Sequence, residues 1–271
     1  MKIFITGTEG FIGGALKKAI CSEHQITELD DILSLKNWQG LIRGILENGN
    51  FDAVFHVGAC SDTQNYDISY VGPRNIESTF LIADICQKQK IPLIYSSSAS
   101  VYGNHGTPET LYAWSKYIGE RYVLKTGGIA LRYFNVYGFD ETRKGKMASF
   151  AYQAYRMAKM GAEIQIFPPV PDKPMRDFVY VNDVLSANLH ALAHYESLKG
   201  NYYDVGTGTP ATYESLMEAL GVEYVYSPKD SIPKNYQYFT KATKFMPGWS
   251  SKWSLQEGIS DYTLILNNLS L

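Results

Sequence analysis

The sequence predicts an α/β fold with a doubly wound parallel sheet and a smaller, discontinuous second domain. Two observations lead to this prediction. Strand and helix signals alternate through the first half of the chain, and the chain opens with a buried strand, a glycine-rich turn and a helix. Alternation of this kind is typical of parallel sheets that carry helices on both faces.

The predicted elements follow in order along the chain. Apolar runs predict strands at residues 3–6, 25–29, 53–57, 93–95 and 129–133. Helical spacing predicts helices at residues 11–22, 41–48, 74–88 and 113–125. Beyond residue 138 we expect a polar loop to 146, a helix at 147–160, a strand at 178–181 and a helix at 183–194 returning to the main sheet, and a strand at 202–205. Residues 210–253 show a more irregular pattern.

The first turn has the composition of a phosphate-binding turn. Gly7 permits the tight turn, Gly10 lets the backbone approach a pyrophosphate, and Gly13 lets the helix pack closely on the strand. The phosphates would lie at the positive helix N-terminus, beside Phe11 and Ile12. A purely structural turn is the alternative, but two later motifs favour a dinucleotide site in a Rossmann sheet.

An acidic pair follows the second predicted strand, about twenty residues beyond the glycines. Asp30 is placed to accept hydrogen bonds from the adenosine ribose, and Asp31 adds negative charge where a 2′-phosphate would lie. We therefore predict NAD as the cofactor, and Lys36 nearby keeps NADP as an alternative. A solvated acidic turn is the other interpretation.

A Ser/Tyr/Lys set supplies the candidate catalytic groups. Tyr112 and Lys116 are four positions apart and share one face of a helix, and Ser98 ends the serine run after the fourth strand. A nearby ammonium and an oxidised nicotinamide should both lower the pKa of the tyrosine, which then takes a proton from a substrate hydroxyl while hydride leaves for the cofactor. A chance Tyr/Lys spacing is the alternative interpretation.

Composition narrows the other possibilities. The chain has 271 residues, 45% of them hydrophobic, and a net charge of −2, which predicts no nucleic-acid partner. Its three cysteines lack metal-ligand spacing, so we expect reduced thiols and a cytoplasmic protein without signal peptide or membrane span. His190 and His194 could chelate a metal, but we predict no metal site because no Glu completes that pattern.

These motifs, in this order, resemble the extended short-chain dehydrogenase/reductase family of nucleotide-sugar enzymes. The resemblance covers nearly the whole chain, and the matching segments are residues 6–13, 56–60, 96–103, 112–116, 132–138 and 176–184. Segments 58–61, 144–149 and 236–240 resemble those of the ADP-L-glycero-D-manno-heptose 6-epimerases within that family. The chain departs from the family in Lys146, which replaces a small serine, in Arg74, where Asn is usual, and in a short loop between Tyr102 and Tyr112.

The resemblance implies further site residues. Those implied for the cofactor, besides Tyr112 and Lys116, are Val57, Gly58, Ala59, Cys60, Ser61, Arg74 and Val136. Those implied for an ADP-sugar are Ser98, Asn135, Lys146, Gln153, Phe167, Arg176 and Tyr236. Lys144 is implied as a second catalytic base, and otherwise is an exposed lysine in a basic run. Arg176 also suits a pyrophosphate on physical grounds, with a salt bridge to Asp177 as its alternative.

The resemblance therefore implies an NAD(P)-dependent nucleotide-sugar epimerase that acts on an ADP- or GDP-heptose-like substrate through a transient ketone. It also implies a homodimer or higher homo-oligomer. From the element pattern we predict a dinucleotide-binding Rossmann domain at residues 1–138 and 178–208, and a mainly substrate-binding part at 139–177 and 209–271. A nucleotide-sugar dehydrogenase or reductase with the same Ser/Tyr/Lys set remains an alternative, as does a catalytically degenerate cofactor-binding protein. We set a 4,6-dehydratase aside because Ala99 and Ser100 replace its acid/base pair.

Overall fold

The computed structural model describes residues 1–30, 37–169, 173–233 and 236–269, apart from the side chains of Arg143 and Lys146. The chain forms two compact units. The first comprises Met1–Tyr133 and Leu185–Asp204, and the second comprises Phe134–Val184 and Val205–Leu271. No helix in the described ranges is long and apolar enough to cross a bilayer.

The first unit is built around a six-stranded sheet of order β10-β5-β4-β3-β1-β2. Its strands are β1 (Lys2–Thr6), β2 (Gln25–Leu29), β3 (Ala53–His56), β4 (Leu93–Ser98), β5 (Ile129–Tyr133) and β10 (Tyr202–Val205). The registered pairs from β2 through β5 are all parallel. The strand order reverses between β1 and β3, where doubly wound sheets bind their ligands. The predicted fold class is confirmed.

Helices connect these strands and bury one face each. They are α1 (Phe11–Ile20), α2 (Trp38–Gly49), α3 (Ile68–Gly72), α4 (Ser78–Gln89) and α5 (Leu111–Lys125). One side of the sheet packs on α2 and α4 through a core that includes Phe4, Ile42, Leu46, Val54 and Ile82. Every strand from β1 to β5 except β2 is almost wholly buried, as expected of a parallel sheet.

A π-helical turn, Pro73–Glu77, joins α3 to α4. The predicted helix at 74–88 therefore begins earlier, at Ile68, where the Asp67 side chain caps the Ser69 amide. Pro73 lacks an amide hydrogen, which removes one helical hydrogen bond at this place. Single π turns of this kind are frequent at functional sites.

The described residues of the second unit form three two-stranded sheets. The pairs are β6 (Asn135–Tyr137) with β9 (Phe178–Tyr180), β8 (Met175–Arg176) with β11 (Ala211–Thr212), and β7 (Gln165–Ile166) with β12 (Val225–Tyr226). The remaining α-helices of the described residues, from both units, are α6 (Phe150–Lys159), α7 (Val181–Ala193), α8 (Tyr195–Leu198), α9 (Tyr213–Leu220) and α10 (Leu255–Asn268).

The structure corrects three local expectations for this part of the chain. The strand predicted at 178–181 pairs with β6 instead of joining the main sheet. The polar loop predicted up to residue 146 is a 3₁₀ segment, Glu141–Met147, kinked at Gly145. The irregular segment 210–253 contains α9, which begins at the Thr212 cap.

Candidate active site

The glycine turn brings two segments of the first unit into close approach. Gly7 has a φ of +78°, which favours glycine, and a Cβ there would lie 2.5 Å from the Cα of Gly58. A Cβ on Gly13 would overlap the carbonyl oxygen of Gly7. The ends of β1 and β3 and the start of α1 are thus packed backbone to backbone, as the sequence predicted for these glycines.

The start of α1 has the features of a phosphate site. Gly10, its N-cap, has no side chain to cap the helix, and no acidic residue lies in the first turn. Phe11 is buried, so the first turn is anchored on the protein, whereas Gly10 is exposed. Backbone N–H groups at a helix N-terminus bind phosphate oxygens, so these residues fit the pyrophosphate of a dinucleotide.

The acidic group predicted to bind the ribose is held by a threonine. The Thr8 hydroxyl oxygen lies 2.5 Å from Asp30 Oδ2 and 2.7 Å from Glu28 Oε2, so its single proton serves one carboxylate at a time. Lys17 pairs with Glu28 at 2.7 Å. Asp31 and Lys36, which bear on the choice between NAD and NADP, lie outside the described residues.

Asn75 fixes the loop after β3, and sequence reasoning missed it. Its side chain accepts a hydrogen bond from the Cys60 amide at 2.8 Å and donates to the Cys60 carbonyl and to Ser115 Oγ. The adjacent Arg74 was predicted to bind cofactor, but it stacks on the Tyr70 ring at 3.7 Å. The π turn carries Asn75 inward, a feature that no sequence pattern signals. The remaining loop residues predicted to bind cofactor, Val57, Gly58, Ala59 and Ser61, are half-buried or exposed.

Ser98 and Tyr112 are joined through a directed hydrogen-bond chain. Ser98 Oγ accepts from the amide and the hydroxyl of Ser100, at 3.2 and 2.9 Å. Its own proton is thereby left for Tyr112. Burial raises the pKa of Tyr112, and the hydrogen bond from Ser98 only partly opposes this. The Tyr112 side chain is therefore a neutral phenol near pH 7, and the lowered pKa that we expect needs the positive charge of an oxidised nicotinamide besides that of the ammonium.

Lys116 is buried beside the same helix face. Burial lowers the pKa of Lys116 to about 7, and the charge of Glu120 opposes the effect. Its Nζ lies 4.5 Å from the centre of the Tyr95 ring. Lys116 is thus poised between its charged and neutral forms, and a small change in nearby charge will decide which form dominates.

His56 is a neutral neighbour of Lys116. Its ring nitrogens lie 2.8 Å from the Thr6 hydroxyl and 2.9 Å from the Thr79 hydroxyl. Because Thr79 donates its own proton to the Asn75 carbonyl, it accepts from Nε2–H of His56. Burial, reinforced by the charge of Lys116, lowers the pKa of His56 to about 3.

The second unit holds a buried cation between aromatic rings. Arg176 is 7% exposed, and its guanidinium lies 4.9 Å from the Tyr236 ring and 5.9 Å from the Tyr213 ring. Phe167 meets Tyr236 edge-on at 4.8 Å. Within the described ranges no carboxylate forms an ion pair with Arg176. Asp177, its proposed alternative partner, accepts instead from Thr207, Gly208 and Ala242.

Lys144 lies in the 3₁₀ segment that Glu141 anchors. The buried Glu141 carboxylate accepts hydrogen bonds from the Gly138 amide, from Ser149 and from Tyr262. Burial lowers the pKa of Lys144, and the charge of Glu141 opposes it. The side chain is half-buried, unlike that of a solvated lysine. The side chain of Lys146 lies outside the described part.

The other residues predicted for the second unit lie on short elements. Asn135 and Val136 belong to β6 and pair with Phe178 and Val179 of β9. The Thr240 hydroxyl lies 3.4 Å from Asn135 Oδ1, and Gln153 donates to the Ala148 carbonyl at 2.7 Å. Asn135, Val136 and Gln153 are all half-buried, so their side chains remain partly accessible.

The geometry shows no metal centre in the described ranges. There, no group of three His, Cys, Asp or Glu side chains is arranged to hold an ion. His190 and His194 stack with ring centres 4.1 Å apart, and His194 is bonded back to the His190 carbonyl. Cys21, Cys60 and Cys86 are free thiols.

Comparisons with known proteins place these features in a family. The model of the NAD dependent epimerase/dehydratase family matches residues 3–206. The ADP-L-glycero-D-manno-heptose-6-epimerase of Brachyspira hyodysenteriae is 32% identical over 289 aligned residues, covering 89% of this chain and 88% of that protein. The crystal structure of the Helicobacter pylori ADP-L-glycero-D-manno-heptose-6-epimerase is 26% identical with a TM-score of 0.80, covering 98% of this chain and 96% of that one.

Two more distant structures show the same fold. Pal from Bacillus thuringiensis has a TM-score of 0.85 at 22% identity, with both chains fully covered. The UDP-glucose 4-epimerase of Thermotoga maritima has a TM-score of 0.83 at 23% identity, with 99% of both chains covered. The resemblance read from the glycine turn and the Ser/Tyr/Lys motifs is confirmed, and the chain belongs to the NAD dependent epimerase/dehydratase family.

Proposed function

We propose that this protein is a nucleotide-sugar epimerase that acts on an ADP- or GDP-heptose-like substrate. The hydrogen-bonded Ser98 and Tyr112, with Lys116 buried on the same helix, are the observation that carries the proposal. The heptose assignment rests on the two heptose epimerases that it resembles at 32% and 26% identity. The family as a whole comprises NAD-dependent epimerases and dehydratases.

The proposed reaction begins at Tyr112. When bound, NAD supplies reversible hydride transfer and a positively charged ring. Added positive charge lowers a phenol's pKa, so Tyr112 can then accept the substrate's hydroxyl proton in the oxidation step. Ser98 donates its proton to the same oxygen, and Lys116 stabilises the phenolate.

Inversion presents the substrate oxygen in two orientations, and Tyr112 serves the first well and the second poorly, so a second acid–base group would serve the other. We assign this role to Lys144, whose pKa is lowered by burial. Arg176 is proposed to pair with the substrate pyrophosphate, because a buried guanidinium without a carboxylate partner in the described ranges suits a multidentate anion. Asn135, Gln153, Phe167, Tyr236 and Lys146 are proposed to complete the sugar-nucleotide site.

NAD is the proposed cofactor, in keeping with the family's dependence, and Asp30 is its proposed ribose ligand. The proposed cofactor site further includes Gly7, Gly10, Phe11, Ile12, Gly13, Asp31, Val57, Gly58, Ala59, Cys60, Ser61, Arg74 and Val136. Arg74 is retained only by its position, where the family usually has Asn, because its guanidinium already packs on Tyr70. NADP remains an alternative.

A panel assay tests the function. The purified protein is incubated with NAD and with ADP-, GDP- and UDP-linked heptoses and hexoses, and products are resolved by NMR. We expect inversion of an ADP- or GDP-heptose and no net NADH. Net NADH formation would establish the dehydrogenase alternative. Cofactor binding without turnover of any sugar would establish that the protein is a catalytically degenerate cofactor-binding protein.

A further inference from the structure

A buried ion pair in the first unit joins β5 to α5, the helix that carries Tyr112. Arg132 of β5 contacts Glu120 of α5 through two hydrogen bonds, Nε to Oε2 at 2.9 Å and Nη2 to Oε1 at 2.6 Å. The side chains of Glu120 and Arg132 are 0% and 7% exposed. A bidentate pair of this kind has one favoured geometry.

In the sequence, Ser98 is flanked by two residues whose side chains contact this ion pair, Ser97 and Tyr102. On one side, the Ser97 hydroxyl donates to Glu120 Oε2 at 2.7 Å. On the other, the Tyr102 ring lies 4.5 Å from the Arg132 guanidinium, and its hydroxyl donates to Asp204 at 2.7 Å. Tyr202 covers the guanidinium at 3.6 Å from a second position. Contacts of Ser97 and Tyr102 therefore hold the segment 98–101 at both of its ends.

Glu120 also lies one helical turn beyond Lys116 on α5. The charged and titratable side chains near Lys116 include Glu120 and Tyr112 on its own helix, Tyr95 on β4 and His56 on β3. His56 is neutral near pH 7 and Tyr95 is a neutral phenol. Glu120 is thus the negative charge among these groups that favours the ammonium form of Lys116.

We propose that Glu120 and Arg132 are positioning residues of the active site, which set the spacing of Ser98 to Tyr112 and keep a negative charge one helical turn from Lys116. The catalytic part of this inference rests on the proposed function. A buried ion pair is not by itself stabilising, because the desolvation of both charges offsets their attraction. If the Glu120–Arg132 pair serves to fix geometry, its location between the Ser98 segment and α5 is explained.

A pair of neighbouring serines tests the geometric part. Ser97→Ala removes the bond to Glu120, whereas the control Ser96→Ala removes a buried bond to Tyr133 instead. We expect Ser97→Ala to lower kcat about tenfold or more, with KM changed little, and to speed amide exchange in residues 98–102. Ser96→Ala should change neither. Equal effects of the two variants on kcat and on exchange would overturn the proposal.

The titration of Lys116 tests the electrostatic part without turnover. The ¹⁵Nζ shift of Lys116, assigned with Lys116→Arg, is followed against pH in the parent and in Glu120→Gln. We expect the midpoint to fall by about one unit in Glu120→Gln. The control Glu47→Gln, which breaks the exposed pair with Arg43, should leave it unchanged. An unchanged midpoint in Glu120→Gln would contradict the proposal.

Failure of the proposed function and failure of the positioning role give different results. If the parent turns over no nucleotide sugar, the proposed function fails, while the Lys116 titration and the amide exchange still decide the positioning role. If Glu120→Gln does not fold, because it leaves Arg132 buried without its partner, the comparison of Ser97→Ala with Ser96→Ala decides it.

Discussion

At the scale of single residues, proton transfer in the proposed reaction depends on the Tyr112 hydroxyl. We predict that Tyr112→Phe lowers kcat by about 10²- to 10⁴-fold, the usual cost of losing an acid–base group. Cofactor affinity should stay within a few-fold, because one hydroxyl is lost without change of shape. Turnover and NAD titration by fluorescence measure the two effects. Parent-like turnover in Tyr112→Phe would assign the proton transfer to another group.

Lys144 separates the heptose-epimerase proposal from the wider family. We predict that Lys144→Ala loses inversion but keeps slow exchange of a carbon-bound deuterium label with the cofactor, since Tyr112 still serves one orientation of the substrate. The half-buried side chain and its lowered pKa support this role. Mass spectrometry of the cofactor follows the label. Inversion at the parent rate would identify Lys144 as an ordinary lysine of its 3₁₀ segment.

His56 predicts a dependence of stability on pH. Its pKa is about 3 in the folded protein against 6.5 when unfolded, so the unfolded chain binds the extra proton first. This proton therefore does not affect the free energy of unfolding above pH 6.5. As the pH falls towards 3, the free energy of unfolding drops by about 5 kcal/mol at most. Urea unfolding should therefore show a shallower acid-side decline in His56→Gln than in the parent. The exposed control His105→Gln should follow the parent; identical slopes in all three would contradict the assignment.

At the scale of elements, the glycine turn gives a prediction with a matched control. Gly13→Ala should destabilise the protein by about 1–3 kcal/mol, because the new methyl group overlaps the Gly7 carbonyl. Gly44→Ala in α2 has open space around its Cβ and should stabilise by about 0.5–1 kcal/mol. Denaturant unfolding measures both. Effects of the same sign would mean that backbone packing at the turn is looser than described.

The π turn yields a second prediction at this scale. Asn75→Ala removes the bonds to Cys60 and Ser115, and we expect a loss of about 2–3 kcal/mol in the free energy of unfolding together with weaker NAD binding. Asn48→Ala, on the exposed side of α2, is the control and should change neither by much. Unchanged NAD affinity in Asn75→Ala would separate this residue from the cofactor site.

The sequence predicted the elements of the first unit better than those of the second. Long apolar strands and a glycine turn are local signals, so β1, β3 and β5 were found close to their observed bounds. The partner of β9 depends on contacts distant in sequence, and three-residue strands carry almost no periodicity. Asn75 was missed because its function comes from a π turn, and the Glu120–Arg132 pair because it joins a helix to a later strand.

At the scale of the whole molecule, we expect self-association. Large apolar side chains are exposed on α3, on α5 and just before α3: Tyr66, Ile68, Tyr70, Trp114 and Ile118. These two helices pack on one another, so the exposed groups can form one surface. Sedimentation should give a dimer that Ile118→Glu weakens and the control Met160→Glu does not. A parent monomer at all concentrations would contradict this expectation.

The central claim is that one centre of a nucleotide sugar is oxidised and reduced again within a single turnover. The most direct test uses an ADP-heptose carrying deuterium at every sugar carbon, incubated with the protein and NAD in ordinary water. The account predicts that the inverted product keeps its deuterium while absorbance at 340 nm stays constant. Loss of deuterium to water at the inverted carbon, or NADH accumulating with product, would contradict it.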